Sequence, residues 1–192
     1  MKYLLTIFLF LTSLTNLYAS WIEKEGCYVG ISTGANKIKS YANLNSKFGC
    51  QGSISVGYRL APVRIEAELS YQQTCIRGKS QIDFLGYFPG YRGEARSYSC
   101  FANMLVDFNH IGFKPYMGNF SPYLGFGLGY TRFDLREDNT SSFTLKARGL
   151  CWQAIAGISY PLNDHIEIGI EYRFQEKYLR SHSTGLALKY LF

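Results

Sequence analysis

The sequence predicts an all-β chain: an eight-stranded antiparallel transmembrane β-barrel preceded by a cleaved signal peptide. Three observations predict it. An apolar leader opens the chain, and no later stretch has the length of a spanning helix. Apolar and polar residues alternate with period two in eight separate segments. Aromatic residues collect at both ends of those segments, as they do where strands meet the two interfaces of a bilayer.

The leader comes first. Met1 and Lys2 form a short positive region, Tyr3 to Leu14 is nearly continuous apolar sequence, and Leu17-Tyr18-Ala19 reads as a loose A-x-A cleavage site. The cut is placed after Ala19, because cutting after Ser20 would put bulky Tyr18 three residues before it. A membrane anchor is the alternative, but the run falls short of the about 20 apolar residues that a spanning helix needs. No Cys stands at the cut to take a lipid. Residues 20–192 then form one domain. If that domain sits in lipid, only a closed barrel satisfies its backbone.

The first and weakest strand candidate is Cys27 to Gly34. In the second, Ile54, Val56, Tyr58 and Leu60 alternate with Ser53, Ser55, Gly57 and Arg59. The third, Val63 to Tyr71, is the clearest: Val63, Ile65, Ala67, Leu69 and Tyr71 share one face, and Arg64, Glu66, Glu68 and Ser70 the other. Only Ala61-Pro62 separates these two, so they form a tight hairpin. The fourth, near 97–108, sets Tyr98, Cys100, Ala102, Met104, Val106 and Phe108 against Asn103 and Asp107. In the fifth, near 122–132, Leu124, Phe126, Leu128 and Tyr130 alternate with Gly125, Gly127 and Gly129. The sixth, near 150–160, places Trp152, Ala154, Ala156, Ile158 and Tyr160 opposite Gln153, Gly157 and Ser159. After a turn at Pro161 to Asp164, Ile166, Ile168, Ile170, Tyr172 and Phe174 alternate with Glu167, Gly169, Glu171 and Arg173. The last strand sets Leu186, Leu188, Tyr190 and Phe192 against Gly185, Ala187 and Lys189. Polar segments 35–48, 77–96, 134–142 and 175–182 read as external loops. Segment 109–121 is long for a periplasmic turn.

With both termini in the periplasm, Tyr58, Phe108, Tyr160, Tyr190 and Phe192 fall at the inner rim. Tyr71, Tyr98, Tyr130, Tyr172 and Phe174 fall at the outer one. A soluble β-sandwich would also alternate, but nothing would sort its aromatics to both strand ends.

The run Ser121-Pro122-Tyr123-Leu124-Gly125-Phe126-Gly127-Leu128-Gly129-Tyr130 resembles a strand of the OmpA-like and opacity-type outer-membrane barrels. Ala156 to Tyr160, Glu171 to Phe174, and the ending His182-Ser183, Gly185-Leu186, Lys189 to Phe192 are similar to the same family. The likeness covers 26–192 and is strongest after 96. It implies an eight-stranded barrel in the bacterial cell outer membrane with variable exposed loops. Its members include structural proteins, surface antigens, adhesins and some proteins called porins. It also implies that the terminal strand ending in Phe192 is an assembly signal, read by the barrel-assembly machinery. No periplasmic wall-binding domain follows the last strand of this sequence, so the wall-anchoring role of longer relatives is not expected.

A barrel of eight strands is only just wide enough for its own side chains. Its inward positions include Arg59, Arg64, Glu66, Glu68, Asp107, Glu167, Glu171, Arg173 and Lys189. Four basic and five acidic groups can nearly neutralise one another, so the expectation is a salt-bridge network that plugs the lumen. A gated, narrow solute path lined by the same groups is the alternative. An acyl-lipid enzyme is a third reading, and His182-Ser183 is the only tempting pair for it. Adjacent residues on a strand point to opposite faces, so no catalytic residues are assigned and no enzyme is expected. The three His lie far apart and no Cys-x-x-Cys occurs, so neither metal nor cofactor is expected.

The net charge of +6 comes from scattered Lys and Arg without an aromatic-basic motif, so nucleic acid is not an expected partner. The expected partners are outer-membrane lipids, the assembly machinery, and a host or environmental ligand at the loops, with the chain a monomer. Of the five Cys, spacing sets Cys75 opposite Cys100, a disulfide that export would permit. The alternative is that these thiols are small apolar fillers at the lipid face.

Overall fold

The computed structural model describes residues 25–39, 45–46, 48–80, 88–111, 119–137, 144–176 and 180–192. The leader proposed over 1–19 lies outside the described residues. Among the described residues there are nine strands: β1 (Gly26–Lys39), β2 (Asn45–Ser46), β3 (Gly49–Leu60), β4 (Val63–Ser80), β5 (Phe88–Asp107), β6 (Ser121–Glu137), β7 (Thr144–Pro161), β8 (Ile166–Glu176) and β9 (Arg180–Leu191). Setting aside two-residue β2, which pairs only with β4, eight long antiparallel strands close on themselves in the order β4-β3-β1-β9-β8-β7-β6-β5, with β5 returning to β4. Closure is made where Tyr28 on β1 pairs with Leu191 on β9 and Ile65 on β4 with Met104 on β5. Among the described residues no helix is long and apolar enough to cross a membrane; the chain crosses with strands.

The alternation read in the sequence becomes an inside-out molecule. Ile31, Ile54, Leu69 and Leu128 face outward, the last 62 % exposed, while Arg64 and Gln153 face inward at 0 %. The start of β1, the end of β9, the turn at Ala61-Pro62, the short helical turn Phe108–Ile111 after β5, and the turn 162–165 lie at one end, here called the terminal end. The opposite, loop end carries the remaining connections.

The loop end corrects the expected boundaries. Strand reaches into all four segments read as loops: β1 runs to Lys39, β4 to Ser80, β6 to Glu137 and β8 to Glu176, while β5 begins at Phe88 and β9 at Arg180. Pairing continues from Cys75↔Glu94 out to Gly78↔Tyr91 and from Asp134↔Lys146 to Arg136↔Thr144. Beyond the apolar band neither face needs to be greasy, so the period-two signal fades while the backbone ladder persists. The result is a wall of β4–β7 standing higher than β8 and β9.

The same register overturns the Cys75–Cys100 pairing. Cys75 pairs with Glu94, and Cys100 with Leu69. Six residues of strand separate the two levels, about 20 Å at the usual rise, far beyond disulfide reach. The spacing misled because 77–96 was read as a loop, whereas the β4–β5 ladder runs on to Gly78↔Tyr91 in a register that sets Cys75 against Glu94. No disulfide joins any of the five cysteines; four are exposed and Cys151 is buried in the lumen.

Candidate functional site: the braced lumen and its two aromatic rims

Three large inward aromatics, Tyr28, Phe101 and Tyr123, fit because the strand beside each offers a glycine. Tyr28 lies across from Gly57, and Tyr123 from Gly157. A Cβ at Gly57 would come within 2.4 Å of the Tyr28 ring, and one at Gly157 within 2.5 Å of the Tyr123 ring. On β5, Phe101, Asn103 and Leu105 face Gly129, Gly127 and Gly125 in the same way. Glycine on one wall therefore makes room for a large side chain on the next. Leu105, Tyr123 and Ile155 form a small apolar knot inside the lumen.

The nine charged residues expected inside all point inward, and the structure joins them into layers. Nearest the terminal end, Arg64 meets Asp107 at 2.6 Å, and Arg59 reaches Glu167 at 2.8 Å and approaches Asp107 at 3.9 Å. Arg64 lies over the Tyr123 ring, 4.5 Å from its centre, and the Lys189 ammonium approaches that centre at 4.8 Å. Ring faces thus receive cationic charge that carboxylates alone do not cover. In the next layer Glu171 accepts from the Tyr123 hydroxyl at 2.5 Å, pairs with Arg173 at 2.6 Å and with Lys189 at 3.4 Å. Glu66 accepts from the Tyr28 hydroxyl at 3.0 Å and from Asn103 at 3.3 Å. Glu68 is a hub: Arg173 pairs with it, and Asn103 and Gln153 donate to it at 2.7 and 3.1 Å.

Towards the loop end charge gives way to amides. Gln153 donates to Asn103, Gln175 to Gln153, and Gln72 to Gln175, at 2.7, 3.0 and 2.8 Å. Ser181 donates to Gln72 at 3.1 Å. Counting round the sheet, β4 and β8 are four strands apart in either direction. The Glu68–Arg173 and Gln72–Gln175 contacts therefore span the barrel's diameter. Beyond the second brace lies a cavity of about 50 Å³, lined in part by Ser97, Ser99, Thr131, Phe101 and Cys151.

The sequence reading did not anticipate Tyr28, Tyr123 or the glutamine layer. The signal was present in the glycines at alternate positions opposite them, which mark where a neighbour must lean in.

The outward aromatics sort to two levels. At the terminal end Tyr160 packs on Phe120 and Tyr190 on Phe192, with ring centres 5.2 Å apart in each pair. Phe108 follows β5 in the helical turn and is half-buried, so it lies just past the strand that was expected to hold it. At the loop end Tyr71 and Tyr98 are 5.0 Å apart, Tyr130 and Tyr172 are exposed, and Trp152 stands 5.3 Å from Phe174. Phe120 and Trp152 join these rims although neither was assigned to one.

His182 and Ser183 diverge. The Tyr172 hydroxyl lies 2.6 Å from His182 Nδ1 on the outer face, while Ser183 Oγ donates inward to the Arg173 carbonyl at 3.5 Å. Among the described residues no group of three His, Cys, Asp or Glu is placed to hold a metal ion.

An inside-out closed barrel with a polar, braced interior and two aromatic rims defines a class: the β-barrels of bacterial outer membranes. The chain belongs to the outer membrane protein β-barrel domain family, whose model matches residues 6–192. Its fold is shared by solved structures of like size. Neisserial surface protein A (NspA) superposes with a TM-score of 0.63 at 21 % identity, covering 88 % of this chain and 100 % of that one. OprG of Pseudomonas aeruginosa gives 0.55 at 14 % identity, covering 88 % and 97 %. Ail, the attachment invasion locus protein of Yersinia pestis, gives 0.54 at 15 % identity, covering 88 % and 100 %. No curated protein sequence matches the chain significantly.

Proposed function

We propose that the chain is a plugged, monomeric surface protein of the outer membrane. Both termini lie in the periplasm, and its role is carried by the loop end in an antigen- or adhesin-like manner. The observation that carries this reading is the pair of braces across the diameter, Glu68–Arg173 and Gln72–Gln175. A solute moving along the axis would have to break a buried ion pair and a buried amide chain, each costly to leave unpaired. With transport and catalysis unsupported by the lumen, the tall β4–β7 wall is the feature left to meet a partner. The same fold serves a protein named for attachment in Yersinia pestis. Two measurements test the reading. The purified barrel in planar bilayers should show no large, stable conductance. Intact cells should lose binding to host or environmental surfaces when residues 81–87 and 138–143 are replaced by Gly-Ser segments of equal length. Steady ohmic channels would instead support a narrow small-solute porin, and unchanged binding would remove the loop end from the role.

A further inference from the structure

Above the Gln72–Gln175 brace the lumen changes character. The cavity of about 50 Å³ at that level holds no Lys or Arg among its described lining residues. Its one acid, Glu176, pairs with Arg180 at 2.7 Å. Hydroxyls line one side, from Ser97 and Ser99 on β5 and Thr131 on β6, and Ser181 on β9 stands on the facing wall. Phe101 and Phe133 complete the enclosure with apolar surface.

The hydroxyls fix which way a ligand must bond. Thr131 Oγ1 donates to the Tyr98 carbonyl at 3.3 Å. Ser97 Oγ and Ser99 Oγ lie 2.9 and 2.7 Å from Thr131 Oγ1. A hydroxyl has one proton and two lone pairs. With the Thr131 proton given to the carbonyl, both serines donate to Thr131, and all three protons are used inside the cluster. On the facing wall Ser181 gives its proton to Gln72 at 3.1 Å. The cavity therefore offers serine lone pairs, and it selects a ligand that brings donors. A carboxylate or sulfate brings none and would bury its charge unpaired. An ammonium brings donors, but the acid beside it is already paired. An acyl chain would leave the serine oxygens without partners. A neutral sugar meets each condition, since its hydroxyls donate and its C–H face suits an aromatic wall. The volume holds about four water-sized groups, so it takes one edge of one ring while the rest of the ligand stays outside. Because the pocket is on the inward face of the wall, that ligand arrives from water and not from the bilayer.

We propose that this vestibule binds the uncharged, hydroxyl-bearing edge of a sugar ring. Ser97, Ser99 and Ser181 accept its hydroxyl protons, and Phe101 and Phe133 lie against its C–H face. The site rests on the plugged lumen proposed above, since the Gln72–Gln175 brace is its floor. It does not rest on residues 81–87 or 138–143.

Cys151 lines the same cavity and is buried, whereas the other four cysteines are exposed, so it can report occupancy. The test uses the full-length barrel carrying C27S/C50S/C75S/C100S, refolded in phosphatidylcholine nanodiscs. Methyl methanethiosulfonate, a small neutral thiol reagent, is added, and intact mass follows modification at Cys151. The methyl glycosides of glucose, galactose, mannose and N-acetylglucosamine are added in turn. At least one should slow modification about tenfold at about ten times its dissociation constant. Glucuronate and glucosamine at the same concentration should leave the rate unchanged. Thr131→Val frees both serine protons, so it should weaken protection by the neutral glycoside and admit glucuronate, a change of preference that loosened packing alone would not produce. Protection by none of the four glycosides, or equal protection by the charged sugars, overturns the proposal without the Thr131 variant having to fold. So does a Cys151 that the reagent never modifies in the sugar-free disc, since the cavity is then closed to the water that must bring the ligand. Conductance separates the two ways of failing. A steadily conducting barrel has lost the floor and the plugged reading with it, whereas a closed barrel without protection fails this proposal alone.

Discussion

Glu171 shows how a buried carboxylate in this lumen holds its place. It accepts from Tyr123, pairs with Arg173 and balances Lys189, and it is only 3 % exposed. Replacing it with Gln keeps the shape but leaves Arg173 and Lys189 with fewer countercharges in a site water scarcely reaches. Removing one partner of such a group costs about 3–5 kcal/mol, because the remaining charge stays buried. E171Q should therefore lower the unfolding midpoint in urea-titrated vesicles by that equivalent. E171Q combined with K189M should recover part of the loss, and an additive double variant would show that the two do not interact. Gly157 tests packing instead of charge. An alanine methyl there would meet the Tyr123 ring at 2.5 Å and the Ile170 carbonyl oxygen at 2.9 Å, and the backbone oxygen cannot swing aside. G157A should destabilise by about 1–3 kcal/mol, the usual cost of overpacking; a variant of wild-type stability would show that Tyr123 moves freely. Inward charges were legible in the sequence because alternation fixes the face of every residue. Which charge meets which was not, since Glu68 and Arg173 come from strands four places apart in the sheet and only closure brings them together.

At the scale of the strand, alternation located all eight staves but not their outer ends. Val63 to Tyr71 stood out because one face is apolar and the other charged. Residues 72–80 of the same strand lack that contrast in the sequence, and ladders to β5 on one side and to β3 and β2 on the other hold them extended. The misplaced Cys75–Cys100 pairing has the same origin, since an unseen length of hairpin shifts the register of everything measured from its turn. β9 is the strand on which the sheet closes. It pairs with β8 on one side and β1 on the other, and the Phe192 amide donates to the Cys27 carbonyl at 3.0 Å just past its end. Phe192 is 73 % exposed and packs edge-on against Tyr190, so it adds little to the fold's interior. A residue so placed can serve recognition before insertion. Deleting Phe192 is expected to slow or block insertion in cells while leaving export and leader cleavage intact. Comparing outer-membrane and periplasmic fractions at native expression checks it, and equal insertion would show that the residue carries no such signal.

The whole molecule owes its resistance to closure. Tyr28 on the first long strand pairs with Leu191 on the last, a contact between residues far apart in the sequence. Such long-range pairing is slow to make. Once made, it leaves the eight long strands no free edge from which the sheet can be peeled. Inside, the ion pairs from Arg64–Asp107 to Glu68–Arg173 and the amides up to Gln72–Gln175 tie facing walls together. Outside, an apolar belt between two aromatic rims accepts detergent tails in place of lipid. Sodium dodecyl sulfate can therefore coat the belt without entering the polar lumen or finding an edge to unzip. Unheated samples should migrate as a compact species, and boiled samples should shift to the mobility of the extended chain. Heat is required because unfolding must break several ladders and the lumen network together, and partial opening exposes unpaired backbone and buried charge at once. If the protein instead ran identically with and without boiling, and left the cell envelope without detergent, a closed membrane-spanning barrel would be untenable, whatever the order of its strands.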